Sequence, residues 1–273
     1  MPLFINTNVA SLNAQRNLEK STLALGQTFA RLASGMRINS AKDDAAGLAI
    51  SHRMTSQIRG LNQAIRNAND GISLSQVAEG ALNETGNALQ RIRELAVQAS
   101  NATYTESDRK DLQKEVTQLL SEIQRISKDV EFNGNKVLNG SFLGRVFQVG
   151  TFAGQTIQVS IGNASWGALG ISTVNISLRT SASTALLKIS SALDSISDIR
   201  ANLGAVQNRF EAIISNLANV VENMSAARSR IVDADIANET ATLTRNAILQ
   251  QAGTAVLAQA NQQPQLALQL LGK

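Results

Sequence analysis

From residue 189 to residue 231 an apolar side chain recurs every three or four positions. Ile189, Leu193, Ile196, Leu203, Val206, Phe210, Ile213, Leu217, Val220, Met224, Ala227 and Ile231 hold this spacing, and Arg200 is the one break. The stripe is that of a helix with a heptad seam. One helix cannot bury its own seam, so the chain must supply partner helices along its whole length. Two other segments qualify. Ile50, Met54, Ile58, Leu61, Ile65, Ala68 and Ile72 keep one helical face, which continues less cleanly through Val77, Ala81, Leu89, Ile92 and Ala96. Such a helix would span roughly 80 Å, too long for a compact domain of this size. Leu112, Val116, Leu119, Ile123, Ile126 and Val130 form a regular seam between Ser107 and Val130, stopped by Glu131-Phe132-Asn133-Gly134. The polar run 101–107 separates the two.

Composition agrees with thin helical layers. Phe, Trp and Tyr make up only 3% of the chain, so a core must be built from Leu, Ile, Val and Ala. The net charge of +4 is spread, with bases alternating with acids and no Lys/Arg run. That pattern argues against a nucleic-acid partner, which needs a basic stripe or patch. The absence of Cys excludes disulfides and thiolate chemistry, and would suit passage of an unfolded chain through a narrow channel. No basic-then-apolar leader opens the sequence, so no secretory signal peptide is expected. No apolar run is long enough to predict membrane insertion.

The remaining segments are modest. A first helix is expected to start after Asn6 or Thr7, with Leu18, Leu25, Phe29 and Leu32 on one face, and to weaken at Ser34-Gly35. Residues 35–44 read as a connector. A last helix from 232 onward carries Ile236, Leu243, Ile248, Leu249, Ala252, Val256, Leu257 and Ala260, with Pro264 ending or kinking it. In the middle the period falls to two. Phe147 and Val149, then Ile157, Val159 and Ile161, alternate with polar residues across the turn 150–154, which predicts a β-hairpin. Residues 162–180 read as irregular strand or loop. The fold class is therefore mainly α: a long antiparallel helical bundle or coiled-coil rod with a small β region at mid-chain, where the chain turns back.

Chemistry is scarce. One histidine, His52, cannot build a His-rich zinc site, and HExxH, GxGxxG, P-loop and GxSxG patterns are missing. Asp43 and Asp44 are adjacent, so on a helix they point in different directions. They read as caps of the second long helix, as Asp233 and Asp235 do for the last. Arg93 and Glu94 read as exposed ion-pairing residues. No cofactor and no enzymatic activity are expected.

Several blocks resemble bacterial flagellin: INTNVASLNAQRNL at the start, RINSAKDDAAGLAIS in the connector, LQRIRELAVQASN, FNGNKVLNG, LGAVQNRF, ARSRIVDADIA and ILQQAGTAVLAQANQQPQ. They occur in family order, and the resemblance fades between about 141 and 180, where typical flagellins insert outer domains. The chain looks like a minimal form. The resemblance implies a self-polymerising subunit of the extracellular flagellar filament, a homopolymer used for motility. Residues 1–43 and 232–273 would be a terminal coiled coil, paired as an inner tube. Residues 44–231 would be a rod domain containing the β and loop region 141–180. Leu18, Leu25, Phe29, Leu32, Ile236, Leu243, Leu249, Val256 and Leu257 would serve polymerisation. Implied partners are the flagellar export apparatus with a chaperone, the filament cap and the hook-junction proteins. A hook–filament junction protein is the alternative role. Two host-recognition surfaces follow from the same resemblance. Arg91, Leu95 and Glu115, with Gln90 and Glu94 beside them, match positions by which many flagellins engage the animal Toll-like flagellin receptor. Residues 30–51, including Arg31, Ile38, Asn39, Lys42, Asp43 and Asp44, look like the peptide sensed by plant receptors.

Overall fold

The structure, a computed structural model, describes residues 7–271, with side chains described as far as residue 263. Among the described residues there are five helices and two small antiparallel hairpins. The helices are α1 (Val9–Ser34), α2 (Ala45–Ser100), α3 (Glu106–Asp129), α4 (Arg179–Val232) and α5 (Ile236–Leu271). The chain divides into two compact units. One holds the residues up to Ser56 together with those from Asn223 onward; the other is Gln57–Glu222.

In the 57–222 unit the seam positions of three helices meet. On α2 the buried residues step by three and four through Leu61, Ala64, Ala68, Gly71, Ser75, Ala78, Leu82, Thr85, Leu89, Ile92, Ala96 and Ala99. This phase differs from the expected one after Leu61. Ile65, Ile72 and Ala81 are only half-buried, and Val77 is exposed. The small residues Ala64, Gly71, Ser75 and Ala78 hold the center of the seam because they admit the bulk of the facing helix. At Gly71 a Cβ would come within 2.7 Å of the Phe210 ring. Phe210 is itself fully buried and meets Phe147 edge-on, 5.6 Å between centroids.

Helix α3 follows its predicted seam: Val116, Ile123 and Ile126 are buried, and Leu112, Leu119 and Val130 pack against the same core. It starts with a capping box in which Thr105 and Asp108 satisfy each other's backbone N–H groups. Arg109, although buried, is hydrogen-bonded: its Nε donates to Ala99 O at 2.7 Å and its Nη2 to Asn101 O at 2.9 Å, closing the end of α2. On α4 the seam begins earlier than expected, at Ala182 and Ala185, and Ile199 fills the place that Arg200 interrupts.

The predicted hairpin is present. Strand β3 (Arg145–Gln148) pairs antiparallel with β4 (Thr156–Val159), Phe147 facing Ile157. A second, smaller hairpin, β1 (Glu131–Phe132) with β2 (Asn135–Lys136), stands where only a helix stop was expected. Asn133 and Gly134 turn it, both at positive φ, 50° and 76°, as a two-residue hairpin turn requires. The irregular segment after β4 is core rather than surface: Ile161, Leu169, Ile171, Val174 and Ile176 are buried. Gln113 Oε1 accepts from Ile176 N–H at 2.7 Å and ties the segment to α3.

In the other unit α1 and α5 lie antiparallel. Asn8 Nδ2 donates to Ala260 O at 2.7 Å near one end, and Arg31 meets Glu239 at 3.1 Å near the other. The cap of α1 is Asn8 rather than Asn6 or Thr7, because its Oδ1 accepts from Ser11 N–H at 3.0 Å. Asn6 lies outside the described residues. Helix α5 does not end at Pro264, whose side chain lies outside the described residues, but runs to Leu271.

Candidate functional site

Three surfaces carry the residues picked out in the sequence. The first is the α1–α5 pair. Its inward positions on α1 step through Ser11, Ala14, Leu18, Ser21, Leu25, Thr28 and Leu32; on α5 they step through Glu239, Leu243, Asn246, Gln250, Gly253, Leu257 and Ala260. Both sets follow a heptad, so Leu18, Leu25, Leu32, Leu243 and Leu257 are largely occupied within one chain. Phe29, Ile236, Leu249 and Val256 lie off this seam and are at least half exposed. Ile248, also on the expected apolar face, shares that exposure, as do Val9, Leu12 and Leu23, which did not stand out in the sequence. Their signal was the phase: each falls outside the heptad that the two helices use against each other. The exposed apolar side chains occur on both helices, which marks a surface suited to contact with further protein.

The second surface is the connector. Gly35, in the left-handed conformation at φ 68°, ends α1. Residues 35–37 then pair with the chain between α4 and α5: Ala234 N–H donates to Gly35 O at 2.9 Å and Arg37 N–H to Val232 O at 2.7 Å. Asp44 caps α2 as expected, accepting from Gly47 N–H at 2.9 Å. Asp43 does something else. Its Oδ2 accepts from the N–H groups of Asn39 and Ser40 and from Ser40 Oγ, and its Oδ1 accepts from Gln27 Nε2. These bonds, first of all that from Ser40 N–H, hold its carboxyl below the usual carboxylate range. Asn39 Nδ2 reaches Ala30 O. Ile38 is buried against Gly47, where a Cβ would meet its Cδ1 at 2.7 Å. Arg31 is engaged by Glu239. Of the candidate recognition residues here, Lys42 and Asp44 are the exposed ones that make no long-range tie. At the other side of the connector Asp235, not Asp233, caps α5, accepting from Ala237 and Asn238 N–H.

The third surface lies on α2 and α3. Arg91 Nε donates to Glu115 Oε1 and its Nη1 to Glu94 Oε2, both at 2.9 Å, and these bonds raise the guanidinium pKa. Glu94 therefore pairs with Arg91 rather than with Arg93. Gln90, Arg91, Glu94 and Glu115 are exposed together. Leu95 does not share that exposure. It is 1% exposed and belongs to the core, because a step of four on this helix crosses the boundary between its wet and dry faces. Next to Arg91 a groove of about 710 Å³ runs between the helices, floored by Val77, Ala81, Ala88 and Leu119 and edged by Glu122 and Arg125. Sequence periodicity placed Val77 and Ala81 in the core and so hid the groove.

These surfaces hold charge pairs and apolar patches. Among the described residues no group of acidic residues and histidine is arranged to hold a metal ion, and no helix is long and apolar enough to cross a membrane.

The comparisons with known proteins agree with a structural role. Residues 5–142 match the bacterial flagellin N-terminal helical region, and residues 186–271 match the bacterial flagellin C-terminal helical region. The chain is similar to a flagellin of Halalkalibacterium halodurans, 47% identical over 98% of this chain and the whole of that protein. It is also similar to a flagellin of Bacillus subtilis, 44% identical over 98% of this chain and 99% of that one. Among solved structures it resembles the Bacillus cereus flagellin crystal structure, with 32% identity and a TM-score of 0.51, covering 60% of this chain and 94% of that one. A chain with both terminal regions in order, the helical fold and relatives matched end to end is a structural subunit of the extracellular flagellar filament, not an enzyme: it belongs to the bacterial flagellin family.

Proposed function

We propose that the chain polymerises through the α1–α5 pair, which forms the inner tube of the filament, while the long helices of residues 44–231 form a rod outside it. The observation that carries this reading is the set of exposed apolar side chains on α1 and α5, among them Phe29, Leu23, Ile248 and Val256. Two helices cover only their mutual seam, so neighboring copies are needed to cover the rest. The test takes purified full-length chain with short filament seeds and a salting-out agent, imaged by negative-stain electron microscopy. Long filaments growing from the seeds are expected. Protein that stays monomeric beside competent seeds would overturn this reading and favor a junction role between hook and filament.

Export of the unfolded chain through the flagellar secretion channel, with its chaperone, is the proposed route outward. A chain without Cys cannot cross-link on the way. The filament cap and hook-junction proteins are the proposed partners at the two ends of the polymer.

The exposed cluster of Gln90, Arg91, Glu94 and Glu115 is the proposed contact for the animal flagellin receptor, with Leu95 beneath it as a packing residue. Arg is a favored anchor at protein interfaces, and here it stands pre-oriented by two carboxylates. A receptor-reporter assay on Arg91→Ala monomer is expected to show at least a tenfold weaker response. An unchanged response removes this surface from the contact. For the plant-type epitope, Ile38, Asn39, Asp43 and Arg31 are engaged within the fold. Recognition therefore requires residues 30–51 to be freed. A peptide of that stretch should signal more strongly than the assembled polymer; equal potency per chain would contradict this.

A further inference from the structure

We propose that the register between α1 and α5 is chosen by polar ties at the two ends of the pair, and that its leucine seam does not choose it. The Leu18 side chain lies against Gly253, where an added Cβ would stand 3.3 Å from Leu18 Cδ1. Heptad steps from that contact place Leu257 opposite Ala14, Leu25 opposite Asn246, Leu243 opposite Thr28 and Leu32 opposite Glu239. Every leucine thus faces a small or polar residue. A slide of one heptad preserves this. In one direction Leu18 would face Ala260, Leu25 would face Gly253 and Leu32 would face Asn246. In the other, Leu18 would face Asn246 and Leu243 would face Ser21. None of these three heptad-spaced registers sets leucine against leucine, so packing in the seam separates them poorly.

The polar contacts do separate them. Arg31 Nη1 meets Glu239 Oε1 at 3.1 Å, with only 28% and 14% of the two side chains exposed. At the far end Asn8 Nδ2 donates to Ala260 O, and Ser11 Oγ donates to Asn261 Oδ1, each at 2.7 Å. A heptad slide moves these partners about 10 Å apart and leaves a largely buried charge unpaired. Buried polar groups at coiled-coil seams are the best-attested selectors of register. The backbone pairing of Gly35 and Arg37 with Ala234 and Val232 lies next to the ion pair and tolerates only the same register. Its sufficiency on its own is the competing explanation.

The chain contains no Cys, so engineered pairs report register without background. Ser21→Cys with Gln250→Cys marks the observed register. Thr28→Cys or Ala14→Cys with Gln250→Cys marks a slide in either direction, since disulfides bridge only Cα atoms within about 7 Å. Each pair is oxidised in assembled full-length chain, and the intrachain crosslink is read as a band of monomer size with altered mobility. The inference rests on the assembly reading only for its sample. Failure to polymerise is scored by sedimentation, whereas register is scored by the crosslink.

In the otherwise native chain only the 21–250 crosslink is expected. In the Asn8→Ser, Glu239→Gln, Asn261→Ala chain, which keeps a capping side chain at residue 8, the ratio of slid to native crosslink should rise by on the order of tenfold or more. The reversed pair Arg31→Glu, Glu239→Arg should restore the native pattern. Retention of the 21–250 crosslink alone in the Asn8→Ser, Glu239→Gln, Asn261→Ala chain would overturn the proposal in favor of the connector backbone. Loss of all three crosslinks there would overturn it too, since the ties would then hold the pair together without selecting among registers. So would absence of the 21–250 crosslink from the native background.

Discussion

The two compact units use the same heptad arithmetic and reach opposite ends. In the 57–222 unit the seams of α2, α3 and α4 converge with the buried segment 161–176, so Leu82, Leu89, Ile92, Ile123 and Phe210 are sealed completely. In the unit of α1 and α5 the seam has helix on one side only. Leu18, Leu25 and Leu32 stay half-buried, and among the residues that do become buried are Ser11 and Thr28. A Cβ added at Gly71 would meet the Phe210 ring at 2.7 Å, whereas one added at Gly253 would meet Leu18 Cδ1 at 3.3 Å, a lesser crowding. The lesson is that periodicity measures the demand for partners, while the number of partners within the chain decides whether that demand is met. One unit completes itself, and the other keeps exposed apolar side chains on both of its helices.

The sharpest way to break this contrast is truncation. Removing residues 1–30 or 240–273 should abolish polymerisation, read by sedimentation, and leave the main thermal transition of the 57–222 unit in place. Truncated chains that still form normal filaments would end the argument. Next in size is the core itself. Phe210→Ala should cost about 3–5 kcal/mol in chemical denaturation, since it empties a sealed site. Leu25→Ala in the unassembled chain should cost about 1 kcal/mol, because its side chain is only partly removed from water. Equal costs would erase the difference between the units.

Glycine substitutions sharpen the same point at smaller scale. Gly71→Ala drives a methyl into the Phe210 ring and should destabilise by about 1–3 kcal/mol. Gly26→Ala, whose Cβ meets nothing within 4 Å, should stabilise α1 by up to about 1 kcal/mol through helix propensity. Helicity by circular dichroism would report both. If Gly26→Ala also blocks polymerisation, that face of α1 is covered in the filament.

The smallest effect concerns pH at the connector. Asp43 is held below the ordinary carboxylate range, chiefly by Ser40 N–H, then Ser40 Oγ and Asn39 N–H. Its contribution is present above the unfolded carboxylate pKa, about 4, and is lost as pH falls through the lower folded value. Amide exchange at Asn39 and Ser40 should therefore stay protected at the usual carboxylate pKa and rise only in more acidic solution. Asp43→Asn should remove that dependence. Exchange that rises around pH 4 in the native chain would show that these bonds do not hold the loop.

Much of the architecture was legible because helices announce themselves by period. The seam of α3, most of that of α4, the break after Ser100, the hairpin across 150–154 and the weakening at Ser34-Gly35 all follow from spacing and turn chemistry. What escaped has a common cause. Reading α2 by its bulky residues gave Ile65, Ile72 and Val77 the seam, whereas Ala64, Gly71, Ser75 and Ala78 hold it. Bulk records how much a residue gains by burial; only the facing side chain says how much space is left. The same error put Phe29 on the α1 seam, while Leu95, grouped with Arg91 through the family resemblance, lies in the core. In the connector two adjacent carboxylates looked like paired caps. Asp44 is one, and Asp43 instead gathers the N–H groups of a loop whose path is set by residues far off in sequence.

The sequence by itself determined the helical period, the demand for partners, the absence of catalytic constellations and the family blocks. All of these reside in local spacing and residue type. The tertiary structure alone decided the phase of α2, the burial of Leu95, the groove beside Arg91 and the end-to-end ties of α1 with α5. Each depends on which surfaces meet, and two residues distant in the chain meet only after the packing of everything between them has been settled.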